Sequence, residues 1–364
     1  MKAKWGLLLC GMLVLSACTN RGVIQEEVPR IVLEKANEES YQMIVPIQLS
    51  DTRDYHQLYM RSSYDFQNIG NRLMELSKKH FPPNQYYLGE GTVITNERLM
   101  KLVKSVSGTN EQGLNPENGS KFPTGKDGVE LESAVMVSDV VEQNFFVEKD
   151  GKYELAGLSV AIVMNPTHEV KTGNTAYFVQ VSDEILYEYG TEMGRKLVRY
   201  LQTLGEVKNL PIMVTIYTKS TNSSYLPGKM IAKAFFKDRS PSFEKLNEVW
   251  YLYPSDAIAK LDTENSSQFN MFKQSLSSFM TEDVGVVGYG FYVNNQMAKL
   301  SIDVEVNPKT YMELMGMIRY ASQLLQTFYN NSFDLEVKIK TLGETKAIIL
   351  KNKGKNQIQP IILN

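Results

Sequence analysis

The chain has 364 residues, 43% of them hydrophobic and 22% charged, with a formal net charge of −2. That length holds two ordinary domains with real cores. The weakly acidic balance excludes the basic field that a nucleic-acid partner needs.

The first eighteen residues read as an export signal. Lys2 and Lys4 give a positive start, and an apolar run covers residues 5–15. The run is shorter than the roughly 20 residues that a bilayer-spanning helix needs. It closes on Leu15, Ser16, Ala17 and Cys18, a lipobox with small residues before the cysteine. Small residues let an extended backbone enter a peptidase cleft, and the Cys18 thiolate is the nucleophile for lipid attachment. Cleavage between Ala17 and Cys18 then leaves a mature chain held at the extracellular face of the cell membrane by the acyl chains, such as palmitate, on Cys18. Cys10, after the bulky Leu9 and too short a run, is not the modified residue. Loss of Lys2 and Lys4 leaves 37 basic and 41 acidic side chains, a net charge of −4. With Cys18 acylated no disulfide is available, which suits a Gram-positive envelope.

Residues 18–45 are polar with little apolar periodicity and read as a flexible tether, spanning roughly 25–30 Å as a coil. The alternative is that Ile31-Val32-Leu33 or Met43-Ile44-Val45 docks as a strand. Residues 65–80 predict a helix with Ile69, Leu73 and Leu76 on one face, stopped by Pro82-Pro83. Asn96 is placed to cap a second helix through residue 105, with Leu99, Leu102 and Val103 inward. Residues 108–128, rich in Gly, Asn, Pro and Thr, predict a long loop.

The remainder shows an internal repeat. Leu158-Ser-Val-Ala-Ile-Val-Met-Asn-Pro166 matches Leu300-Ser-Ile-Asp-Val-Glu-Val-Asn-Pro308. A helix follows each (192–204 and 311–329), then an alternating strand (212–218 and 335–341), then a second strand (229–236 and 345–350). The first copy carries an insertion over 167–181, read as a hairpin around Gly173-Asn174. The order predicts an α+β fold: two copies of a strand–helix–strand–strand unit with mainly antiparallel sheets, over residues 46–240 and 241–364. Leu300, Ile302, Val304 and Val306 face a core, and Ser301, Asp303 and Glu305 face water. The first copy has Ala161 and Val163 at the outward positions, so its sheet is expected to be covered on both faces, by the inserted hairpin or by the other unit.

No catalytic residue and no cofactor or metal site is expected. His56, His80 and His168 fall in different segments, and no zinc spacing, no Gly-x-Ser-x-Gly elbow and no free thiol is present. Gly285-Val-Val-Gly-Tyr-Gly290 lacks the Lys-Ser/Thr of a phosphate loop and reads as a bent strand. Glu130, Glu132, Glu142 and Glu148 read as solvated faces. The tyrosines, with Tyr86-Tyr87 and the cluster Trp250, Tyr251 and Tyr253, are half-buried strand residues or the walls of a peptide or glycan groove. The polar loops 121–127 and 218–224 specify no partner.

Several segments in order resemble the CamS family of lipoprotein precursors of bacterial sex pheromones. They are the lipobox, Tyr87-Leu-Gly-Glu-Gly-Thr-Val-Ile-Thr95, Gly128-Val-Glu-Leu-Glu-Ser-Ala-Val135 with 140–144, and Tyr225-Leu-Pro-Gly-Lys229. The resemblance implies two products: an anchored, non-enzymatic envelope lipoprotein and a hydrophobic peptide from the signal sequence that affects conjugative plasmid transfer. Carried onto this chain, the peptide is Gly11, Met12, Leu13, Val14, Leu15, Ser16 and Ala17. It departs from the Ala-Ile-Phe-Ile type opening of the best-known family peptides. The second reading is a surface lipoprotein that binds a peptide or glycan in the cleft between the repeats; the oligomeric state is left open.

Overall fold

The computed structural model describes residues 31–33, 38–59, 63–126, 128–221, 225–237, 241–279, 283–327 and 332–363. The N-terminal unit opens with β1 (Ile31–Leu33), β2 (Gln42–Val45), helices α1 (Arg53–Tyr59) and α2 (Ser63–Ser77), β3 (Tyr87–Glu90) and α3 (Asn96–Leu102). After β4 (Lys121–Pro123) and β5 (Glu130–Glu132) come the long strands β6 (Val137–Lys149) and β7 (Lys152–Met164) and the pair β8 (Thr167–Thr172) and β9 (Thr175–Gln180). Helix α4 (Asp183–Leu201) leads to β10 (Ile212–Thr218), β11 (Lys229–Phe236) and β12 (Glu244–Lys245). The C-terminal unit has β13 (Glu248–Tyr253), α5 (Asp256–Leu261), α6 (Thr263–Phe279), β14 (Gly285–Val293) and β15 (Gln296–Glu305). It ends with α7 (Tyr311–Leu324), a 3-10 turn (Leu325–Thr327), β16 (Asp334–Thr341), β17 (Glu344–Lys351) and β18 (Ile358–Ile362).

The fold is α+β with mainly antiparallel sheets. One sheet runs β1-β2-β3-β6-β7-β10-β11-β12 and the other β13-β14-β15-β16-β17-β18, so the change of sheet falls between Lys245 and Glu248. β1 and β2 pair at the margin of the first sheet, Ile31 opposite Val45. The tether expected over 18–45 is therefore corrected: both apolar triplets within it are strands, because the sheet offers them a partner edge. Residues 18–30 lie outside the described residues.

Both large sheets use the same order of hairpin, crossover helix, parallel strand and antiparallel strand. β10 lies parallel to β7 with Ile212 opposite Leu158, and β16 lies parallel to β15 with Leu335 opposite Leu300. Two pairs of irregularities also correspond, while a further shift between Val137 and Asp139 has no counterpart in the pairing of β14 with β15. Ala156 of β7 and Ala298 of β15, each two residues before the matched leucine, are extra residues in their ladders. Pairing shifts again between Ile216 and Tyr217, and between Ile339 and Lys340, each four residues past the matched start of its strand. A bulge bends its strand and increases the twist, so the two sheets are bent at matching places.

The crossover helices are capped differently. Ser182 caps α4 by accepting from the Ile185 N–H, whereas Thr310 and Glu313 form a reciprocal capping box at α7. Asn165-Pro166 leads into the β8–β9 hairpin, while Asn307-Pro308 leads directly to α7. Thr95, not Asn96, caps α3, because its hydroxyl reaches the Arg98 N–H. The long loop expected over 108–128 is partly ordered by pairing of β4 with β5. Gly288 and Gly290 lie within β14, where a Cβ would come 2.8 Å from Phe269 and 2.7 Å from Tyr253 respectively. Those glycines admit rings, not phosphate.

The two sheets bury their faces differently. On one face of the first, Leu158, Val160 and Ile162 pack with Leu186, Leu197 and Leu201 of α4. On the other, Ala161, Val163 and Met213 pack with Ile69 and Leu73 of α2. The cover is α2, neither the hairpin nor the second unit. In the second sheet Leu300, Ile302 and Val304 pack with α6 and α7 through Phe269, Phe272, Met317 and Ala321. The reverse face carries a charge ladder in which Lys340 meets Asp303 at 2.6 Å, and Lys338 and Lys299 meet Glu336 at 2.8 and 3.2 Å.

Two buried carboxylates tie α2 down. Asp65 accepts from the Tyr217 hydroxyl at 2.6 Å and the Gly228 N–H at 2.8 Å. Burial and that carboxylate push the Tyr217 phenol well above its ordinary range. A Cβ at Gly228 would lie 2.0 Å from the Thr218 carbonyl oxygen, so this position of the Tyr225–Lys229 motif requires glycine. Glu248, at the start of the second sheet, accepts from Arg72 of α2 and from the Met230 N–H, and the Arg72 guanidinium lies over Phe291.

Ala161 and Asp303 occupy matched positions on the two sheets. Ala161→Asp should lower unfolding free energy by more than about 3 kcal/mol, as an unpaired charge is forced under α2. Asp303→Ala, which removes one partly exposed ion pair on the open face, should change it by about 1 kcal/mol or less. Urea unfolding of both variants checks this, and similar losses would contradict the assignment of faces.

Candidate functional site

Gly11, Met12, Leu13, Val14, Leu15, Ser16, Ala17 and Cys18 lie outside the described residues. Among the described residues, no helix is long and apolar enough to cross a membrane, and no group of three or more His, Cys, Asp and Glu is placed to hold a metal ion.

The structure instead gathers buried polar side chains around His56. Thr52 stands just before α1, where its carbonyl accepts the His56 N–H at 3.0 Å. The four-residue spacing brings the imidazole back over Thr52. The Thr52 hydroxyl is 2.7 Å from His56 Nε2 and 2.7 Å from the Ser50 hydroxyl, and His56 Nδ1 is 2.8 Å from Asp139 Oδ2. Asp139 is fully buried in β6, and its other oxygen accepts the Val140 N–H at 2.8 Å. An ionised carboxylate only accepts, so the Nδ1 proton lies toward Asp139. In that tautomer Nε2 accepts from the Thr52 hydroxyl, and the Thr52 oxygen can accept from Ser50. Ser50, Thr52 and His56 are themselves nearly buried.

Glu142, three residues along β6, builds the adjoining wall. β3 ends at Glu90, opposite Gln143, so the strand beyond has no partner on that side. Glu142 takes over that edge. Oε1 accepts the N–H groups of Thr92 and Val93 at 3.2 and 3.0 Å, and Oε2 accepts that of Ile94 at 2.7 Å. Gly91 permits the approach, since a Cβ there would fall 2.6 Å from the Glu142 Cβ. Gly89 likewise leaves room for the Phe146 ring. Two motifs far apart in sequence, 87–95 and 140–144, thus form one carboxylate cradle. Burial pushes the Glu142 carboxyl above its ordinary value, and the three N–H donors pull it partly back.

Between these walls lies a cleft of about 570 Å³, lined by Ser50, Thr52, His56, Phe66, Met74, Glu90 and Ile94 among others, with no lysine or arginine among the described residues that line it. Sequence reading missed it. The only local signal is the Thr52-x-x-x-His56 spacing, and Asp139 lies 83 residues further on.

Of the two readings of the aromatic residues, the structure shows half-buried or buried strand residues: Trp250, Tyr251 and Tyr253 lie in β13. Tyr253 and Tyr292 are buried and hydrogen-bonded to each other, with Asp262 accepting from Tyr292. Trp250 packs on Phe291 at 4.8 Å and Tyr87 on Tyr153 at 4.9 Å. The recesses beside the seam measure about 220 and 430 Å³.

The model of the family described as CamS sex pheromone cAM373 precursor matches residues 47–357. The chain is similar in structure to a sex pheromone precursor from Lactobacillus salivarius subsp. salivarius UCC118, at 20% identity and a TM-score of 0.82, covering 92% of this chain and 99% of that one. It is also similar to the C-terminal domain of the sex pheromone staph-cAM373 precursor from Staphylococcus aureus, at 21% identity and a TM-score of 0.68, covering 83% of this chain and 98% of that one. No curated protein matches it in sequence.

The raised Glu142 pKa carries a sign. The native state keeps a proton that the unfolded chain has already lost, so this group makes stability fall as pH rises through the ordinary carboxylate range and on through the native pKa. Glu142→Gln should flatten that fall in urea titrations at a series of pH values. An unaltered slope would assign the pH dependence to other groups.

Proposed function

Because the chain belongs to the CamS sex pheromone precursor family, we propose that it is a two-product precursor: an extracellular lipoprotein anchored through Cys18, and a hydrophobic signal-derived peptide. The observation that carries this reading is the join of a short apolar run to Leu15-Ser16-Ala17-Cys18. Cleavage before Cys18 makes both products at once, and trimming leaves Gly11–Ala17 as the peptide. A seven-residue apolar peptide suits a buried, apolar receptor groove. A misfit of one methylene in such a pocket costs about 1–3 kcal/mol, so the recipient strain depends on the Gly-Met-Leu-Val opening.

Cys18→Ala should release the protein from membranes or stall it as the full-length precursor, read by fractionation and intact mass. Wild-type protein with its initiator end in place and an unmodified Cys18 thiol would defeat the anchor. Separately, synthetic Gly11–Ala17 added to plasmid-bearing responder cells should raise conjugative transfer. No response at any concentration would remove the pheromone role and leave the lipoprotein reading standing.

A second reading gives the body a peptide or glycan ligand. The cleft beside His56 favours it over the narrower recesses at the seam. A ligand at 100 times its dissociation constant adds about 2.7 kcal/mol to stability, visible as a raised melting temperature in a ligand screen.

A further inference from the structure

We propose that Thr52, activated by His56 and Asp139, is a nucleophile that cleaves esters of uncharged, apolar acyl groups in the cleft. This goes beyond the precursor role and departs from the expectation of a non-enzymatic body. It uses the cleft of the second reading but asks for covalent chemistry there.

The geometry has the three roles of a hydroxyl–imidazole–carboxylate relay. Such relays are recognised by arrangement, not by order in the chain. The nucleophile–base distance is 2.7 Å and the base–carboxylate distance 2.8 Å. The orienting carboxylate is fully buried and held from behind by the Val140 N–H. A pin for α1 would need only the His56–Asp139 bond. The line continues instead through the Thr52 hydroxyl to Ser50, and all three of these side chains line the cleft.

The lining narrows the substrate. Phe66, Met74, Ile94 and Val140 offer apolar surface, and the Glu90 carboxylate disfavours an anionic substrate. Gln67 and Asn71, one turn apart on α2, line the same cleft and are the side-chain amides available to a developing oxyanion.

In the first step Thr52 Oγ1 bonds to the acyl carbon as its proton passes to His56 Nε2. The bond from the acyl carbon to the leaving alkoxide then breaks, and His56 protonates that oxygen. In the second step water attacks the threonyl ester, gives its proton to His56, and releases the carboxylic acid as the proton returns to Thr52. The net reaction is ester and water to acid and alcohol, with no oxidant, reductant or metal.

The test uses the full mature chain, a fluorophosphonate probe and p-nitrophenyl butyrate. The expected result is a one-to-one adduct that mass mapping places on Thr52, with turnover of the ester. Both activities should fall about 10²–10⁴-fold in His56→Gln, fall in Asp139→Asn, vanish in Thr52→Val and return in Thr52→Ser. No adduct on the folded wild type, or an adduct at Ser50 or elsewhere, overturns the proposal. Because the mapping is done on the wild type, it decides even if a variant fails to fold. A ligand that raises the melting temperature while Thr52 stays unlabelled would sink the chemistry and spare the binding reading.

Discussion

Glu142 accepts three successive backbone N–H groups on one carboxylate, and that arrangement sets where β3 stops, where α3 begins and how the cleft is walled. Hydrogen bonds to a charged group contribute about 1.5–3 kcal/mol each. Burying the carboxylate costs several kcal/mol. Burial outweighs the donors, in keeping with the raised Glu142 pKa, so the cradle acts mainly on position. It turns the chain away from β6 where strand pairing ends, and it leaves Asp139 and Gln143 to meet α1 and α2, through His56 and the Gly70 carbonyl.

The two sheets show how one strand order serves two environments. Two of their bulges fall at matching residues, yet their reverse faces differ in chemistry. Small and branched residues at 161 and 163 let α2 pack against the first sheet, and Asp303 and Glu305 keep the second open to water. The cleft exists only where that extra helical layer, α1 with α2, meets the margin of β6. Among the described residues the second unit has no such layer and carries no counterpart to His56 at that position.

Much of the fold was legible from periodicity. The paired strands with their crossover helices, the hairpin after Asn165-Pro166 and the inward leucines of α2 and α3 all follow from local pattern, because alternation and helical spacing are local signals. The short strands β1 and β2 were harder, since a triplet such as Ile31-Val32-Leu33 becomes a strand only when a sheet edge receives it. Helices α5 and α6 were missed; α6 is Ser- and Asn-rich, and its apolar stripe is thin. The cleft was invisible for a stronger reason. His56 meets Asp139, and Glu142 meets Thr92–Ile94, across 48 to 83 residues of sequence, and no spacing rule joins them. Resemblance to the family marked the cradle's motifs without saying what they do, and Gly91 shows the reason for one of their glycines.

The Arg72–Glu248 contact bears on how the molecule can be taken apart. Glu248 opens the second sheet, yet its cation comes from a helix that precedes every long strand of the first. A fragment begun at residue 246 would carry an orphaned carboxylate and a bare Phe291 ring. A fragment ended there would keep a stray guanidinium on α2. The seam drawn by the sheets is thus a poor place for scissors, and each half is completed by an atom group that the ribosome delivers 176 residues apart.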